Sequence, residues 1–173
     1  MRTQSLRIPL AVLLASMSVG AFADEHGSHG KREWSFHVND ETTPAEMGLP
    51  AYPGARPHKD DDDSSSAANL GFSSPGFGME LKAASFETND HPERVAKFYR
   101  KALSKYGDVL DCSDPETRSW SKNHRDENVL TCDSNDTDKL VYKVGSKKNQ
   151  RIVAVETSRD NTRFSLVHLR IRE

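Results

Sequence analysis

The sequence predicts an α+β domain: an antiparallel sheet of about five to seven strands with one long amphipathic helix packed on one face. Residues 90–107 read as that helix. Asp90 stands three residues before Glu93, a capping-box spacing, and Pro92 sits in the first turn, where a missing N–H is harmless. Val95, Phe98, Tyr99, Ala102, Leu103 and Tyr106 recur at steps of three and four, which makes one apolar stripe. Lys101 and Lys105 suit the negative end of the helix dipole, and Gly107 suits a left-handed terminating residue. The apolar runs on either side are joined by short turns, and such connections imply antiparallel pairing.

The chain opens with a secretory pattern. Arg2 and Arg7 form a basic head, residues 10–17 a short apolar stretch, and Ala21-Phe22-Ala23 a small-residue cleavage site, so residues 1–23 read as a signal peptide. The apolar part is too short to span a bilayer, so no membrane crossing is expected. Cleavage after Ala23 would start the mature chain at Asp24, in the periplasm or outside the cell. The formal charge of the whole chain is −2. Losing Arg2 and Arg7 takes it to −4, which argues against general nucleic-acid binding.

Residues 24–42 read as a flexible polar leader, in which Trp34 and Phe36 alternate with polar residues as a short edge strand would. A single α+β domain is expected over 43–173. Thr43, Pro44 and Glu46 repeat the capping logic and predict one helical turn ended by Gly48. Pro50, Tyr52, Pro53 and Gly54 then fix a turn that feeds a strand. Leu49-Pro50-Ala51-Tyr52-Pro53-Gly54-Ala55 and the pattern F-x-T-x-D-x-P-E-x-V-x-x-F-Y-R-x-x-L-x-x-x-G over 86–107 together resemble a family of small exported bacterial domains. The resemblance covers 46–55 and 86–107, more loosely the strands beyond, and implies fold and export without an activity. Asp60, Asp61, Asp62 and Asp63 depart from the pattern and read as a solvated variable loop, lacking the spacing of a calcium loop.

Strands are expected at 67–73 and 79–88, around Ser74-Pro75-Gly76, and at 108–112. A long polar loop holding Trp120 follows at 113–127, then strands at 128–133, 139–144, 151–157 and 163–172. In the 139–144 strand, Leu140, Tyr142 and Val144 point inward, Val141 and Lys143 outward. Val167, Leu169 and Ile171 face one way in the last strand, His168, Arg170 and Arg172 the other. Cys112 and Cys132 end two apolar runs of an exported chain, so a structural disulfide is expected.

Two sites carry chemistry in the sequence. A free amine at Asp24 with Glu25 and His26 would offer the square-planar nitrogen set that suits Cu(II) or Ni(II), with His29 and His37 near enough to add ligands. A solvated polar leader is the simpler reading of the same residues. Lys143, Lys147, Lys148, Arg163, Arg170 and Arg172 form a candidate basic surface for an anionic envelope component, against the alternative of an ordinary charged outer face. Phe98, Tyr99 and Tyr106 could line a groove but are more simply core. His58, His91, His124 and His168 fall in no nucleophile or metal signature, so an enzyme is not expected. The expected function is that of an exported binding or interaction module of the bacterial envelope with no resident cofactor, its partner an anionic component or another envelope protein. The alternative is a periplasmic Cu(II)- or Ni(II)-binding protein.

Overall fold

Alternating strand patterns and two capped helices build one mixed architecture in the computed structural model, which describes residues 35–59, 65–123, 126, 128–133, 139–158 and 160–173. The strands are β1 (Ser35–Asn39), β2 (Arg56–Pro57), β3 (Ala67–Ser74), β4 (Phe77–Thr88), β5 (Leu110–Asp111), β6 (Leu140–Ser146), β7 (Asn149–Thr157) and β8 (Thr162–Arg172). The helices are α1 (Pro92–Leu103) and α2 (Pro115–Asn123). All strands join one antiparallel sheet in the order β1-β3-β4-β8-β7-β6-β5, and β2 pairs with the far end of β4. The expected α+β class is thus the observed one, with eight strands where five to seven were anticipated. The signal peptide at 1–23, the Asp24-Glu25-His26 site, His29, Trp34, the acidic run at 60–63 and His124 lie outside the described residues.

α1 forms as its stripe dictates and packs on β6 and β7. Val95, Tyr99 and Leu103 interlock with Val144, Val153, Val155, Phe164 and Leu166, all essentially without exposure. The start of the helix differs from the expected one. His91 is the N-cap and Asp90 is not: its carboxylate accepts the Tyr52 hydroxyl at 2.6 Å and the Arg94 guanidinium at 3.2 Å. Those bonds hold Asp90 below the usual carboxylate range, and burial followed by the Asp90 contact pushes the Tyr52 hydroxyl up to about 12. Tyr52 also meets Phe98 edge to face at 5.0 Å. The two halves of the motif pattern are therefore bonded to each other, Leu49–Tyr52 side to helix side, and their common role is to seat α1.

The Thr43 turn forms as expected. Glu46 accepts from the Thr43 amide at 2.7 Å, the Thr43 hydroxyl points back at the Glu46 amide, and Gly48 closes the turn at φ +75°. It drops Met47 into the core beneath α1. Ser35–Asn39, inside the stretch read as leader, is an edge strand paired residue for residue with β3.

Two expectations fail around the cysteines. Residues 115–123, read as loop, are helix α2, because Asp114 caps it: its carboxylate accepts from the Thr117 amide at 2.8 Å and hydroxyl at 2.7 Å. Residues 128–133, read as a strand, are not one. Val129 is exposed and Leu130 buried, an alternation that mimics a strand, but the segment crosses the face of β6 instead of extending the sheet.

Candidate interaction surface

Because side chains alternate along each strand, the registers sort the sheet into two faces. The face under α1 holds Tyr142, Val144, Val153, Val155, Phe164, Leu166, Ala84 and Phe86. The other face also carries apolar rows. Phe36, Phe72, Met79 and Ile171 form one row across β1, β3, β4 and β8. Val38, Leu70, Leu81 and Leu169 form the next, and Ala68, Ala83, Val167 and Ile152 a third that reaches β7. Toward the opposite end the same face turns polar. Ser85 and Ser165 share a hydrogen bond of 3.0 Å, and Glu87, Arg163 and Glu156 make a charged row.

No described helix covers the apolar rows. Phe36 is 73% and Val38 62% exposed, and Phe77 and Met79 are exposed as well. Four strands at about 4.8 Å and three rows at about 6.8 Å give a footprint of roughly 400 Å². A patch of this size on a single chain commonly marks an interaction site.

The two edges of the sheet differ sharply. At one, β5 pairs β6 over only two residues, and the chain then folds back across it. Cys112 and Cys132 are joined, with Cα atoms 5.4 Å apart. The Cys112 amide donates to the Val141 carbonyl at 2.8 Å, and Arg118 donates to the Cys112 and Ser113 carbonyls. Lys143, on the second face of β6, is buried to 3% exposure, donating to Asp133 at 2.5 Å and to the Thr131 carbonyl at 3.4 Å. At the other edge lies β1. All five of its residues are exposed, and among the described residues only β3 pairs with it. His37 leans inward: a methyl group at Gly71 would lie 1.8 Å from its Cε1, so the imidazole lies flat on β3 and away from the outer edge.

The expected basic surface is not one surface. Lys143 is the buried residue just described, because its outward face is covered by 128–133. Lys147 donates to the Asp126 carbonyl at 2.7 Å and Lys148 pairs with Glu173 at 2.5 Å, both at the β6–β7 turn. Arg163 lies in the charged row of the open face. Arg170 and Arg172 point to the α1 side, where Arg170 stands beside Glu80, itself paired to Lys82 at 3.1 Å. There Arg151 donates to the Met47 carbonyl at 2.8 Å and stacks 3.8 Å from the Tyr106 ring, whose hydroxyl donates to the Gly48 carbonyl. His168 joins this group, 3.0 Å from Asn149; burial, then Arg151, holds its pKa down.

A concentrated basic surface lies elsewhere. Lys97, Lys101 and Lys105 follow one another at four-residue steps along the exposed side of α1 and the turn after it, and no ion pair engages them among the described residues. Phe98 and Tyr99 belong to the aromatic core cluster, as Tyr99–Phe164 at 5.4 Å shows. His91 and Glu93 line a cleft of about 500 Å³ with Lys139 and Glu156, which pair at 2.8 Å. His58 meets Glu87 at 3.1 Å. No group of three His, Cys, Asp or Glu converges as metal ligands would among the described residues, and no described helix is long and apolar enough to cross a membrane.

Comparison of the chain with protein-family models, with curated proteins and with solved structures finds no match.

Proposed function

We propose that this chain is an exported, non-enzymatic interaction module of the bacterial envelope that docks another protein through the apolar rows on the sheet face opposite α1. The observation that carries the reading is the pair of apolar faces: one is filled by α1, while no described helix lies on the other, where Phe36, Val38, Phe77 and Met79 are exposed. Covering roughly 400 Å² of apolar surface is worth on the order of 10 kcal/mol before the costs of association. Export is supported by the basic head, apolar stretch and Ala21-Phe22-Ala23 site, by the Cys112–Cys132 disulfide, and by the motif resemblance.

Two measurements test it. Mass analysis of the chain recovered from the periplasm or medium should find Asp24 at its start; recovery from the cytoplasm with residues 1–23 retained would remove the export reading. A photo-crosslinking residue in place of Met79 should yield protein adducts in intact cells. The same residue in place of Ser104, on the helix side, should not. Equal labelling from both positions, or from neither, would sink docking through this face.

A second reading has its own observation. The Lys97, Lys101, Lys105 stripe is a compact cationic surface, fit for an anionic envelope polymer. Binding to such a polymer should fall steeply with salt and vanish when the three lysines become glutamine. Binding that ignores salt would count against it.

A further inference from the structure

We infer that a second copy of the chain joins through the outer edge of β1, so that two sheets become one and their apolar rows one wider face. The inference goes beyond the docking reading above, which concerns what covers that face.

An open strand edge presents a row of backbone donors and acceptors that only another extended strand can match, and proteins that must stay apart block such edges with lysine, proline, bulges or covering loops. Among the described residues, β1 has none of these. Its sequence, Ser-Phe-His-Val-Asn, carries no lysine, arginine or carboxylate, no proline and no bulge, and it pairs with β3 in uninterrupted register. The far edge of the same sheet has several such devices: a two-residue strand, a disulfide-tied segment folded across it, and a buried lysine. One edge is closed and the other left ready.

The strand also fits itself. Antiparallel pairing about a two-fold axis midway between the two copies of its middle residue sets Ser35 opposite Asn39, Phe36 opposite Val38, and His37 opposite His37 of the second copy. Phe36 and Val38, the two most exposed large apolar side chains among the described residues, then become cross-strand neighbours, an aromatic beside a β-branched residue. Their row joins the apolar face of one copy to that of the other. His37 offers no obstacle, since its ring lies inward over Gly71. Five residue pairs make a small contact, so the dimer should be weak and reversible.

The experiment uses the purified, disulfide-bonded chain. Sedimentation across a concentration series should show mass doubling. Val38→Lys, a change at an exposed position, should weaken the dimer by about tenfold or more while leaving the circular dichroism and melting temperature of the monomer unchanged. The geometry is read with cysteine: both native cysteines are in the disulfide, so His37→Cys adds the only free thiol. In the proposed register it faces its own copy within disulfide reach and should crosslink to a dimer under mild oxidation. Ser35→Cys alone should not, and a mixture of Ser35→Cys and Asn39→Cys should. A chain that stays monomeric throughout would overturn the inference. So would a dimer that survives Val38→Lys, fails to crosslink at position 37 and is lost in Met79→Lys, since that pattern means two faces stacked together. A monomeric chain that still yields protein adducts from position 79 would remove the second copy and leave the docking reading standing.

Discussion

β1 and β5 end the same sheet and could hardly be more different. β5 is two residues long, its neighbour β6 is buried on both faces, and a covalent bond holds the covering segment in place. β1 is five residues long, exposed throughout, and followed along its face by apolar rows that nothing described covers. The difference teaches where stability and association are separated in this fold. Interactions at the β5 edge hold the chain together; those at the β1 edge are left over for something else.

One substitution made at both edges tests that separation most severely. Val141→Lys places a charge at a position 3% exposed, beside Lys143, and should cost about 4 kcal/mol or more, enough to unfold a marginal domain. Val38→Lys, at a position 62% exposed, should change stability by less than about 0.5 kcal/mol in urea denaturation. Similar losses at the two positions would erase the distinction. Next in size is the disulfide. Cys112 and Cys132 close a loop over 20 positions, so replacing both with serine should lower unfolding free energy by about 3 kcal/mol on the chain-entropy account. A lower urea midpoint with a steeper slope would confirm that the bond acts on the unfolded chain, which expands when the cross-link is removed.

A subtler test is acid. Thr117 hydroxyl and amide donors hold the Asp114 carboxyl below its ordinary value of 3.8. A depressed carboxyl stabilises α2 fully above that value and loses its effect as pH falls through the lower folded pKa. Hydrogen exchange in α2 should be faster in Asp114→Ala than in the parent at neutral pH, with the gap closing below pH 3.8. A gap that persists in acid would mean that the cap acts without its charge. The smallest expected effect is at Gly71→Ala. The added methyl displaces the His37 ring, an exposed group free to swing outward, so stability should barely move while any β1-edge pairing weakens.

Much of this architecture can be read from the residues. The α1 stripe and the strand alternations place the core correctly, because period and capping agree there. The cap itself slipped by one residue, since Asp90 is drawn away by Arg94 four positions on and by Tyr52, a contact across 38 positions that no local pattern shows. α2 went unread although Asp114, Pro115 and Glu116 carry the same start signals as Thr43, Pro44 and Glu46. Its only buried residue is Ser121, so it has no apolar stripe to notice. The basic surface failed for a different reason. Alternation placed Lys143 on the outer face correctly but could not show that 128–133 covers that face. The open apolar rows were visible as alternation in β4 and β8; which of two apolar faces receives the helix is decided by tertiary packing.

The place of β8 has a consequence for how the chain comes into being. It lies in the middle of the sheet, paired with β4 from Gly78–Arg172 through Thr88–Thr162, yet Ser85 and its partner Ser165 stand 80 positions apart. A chain made from its amino terminus therefore finishes β1, β3 and β4 long before the strand that must sit beside them exists. Pairings of such long range form late and slowly. Until β8 arrives, the β3–β4 hairpin shows water one apolar face, with Leu70, Phe72, Met79 and Leu81, and an unpaired flank, the condition in which chains stick to one another. Whatever attends this protein during synthesis must shelter that hairpin until its central strand is made.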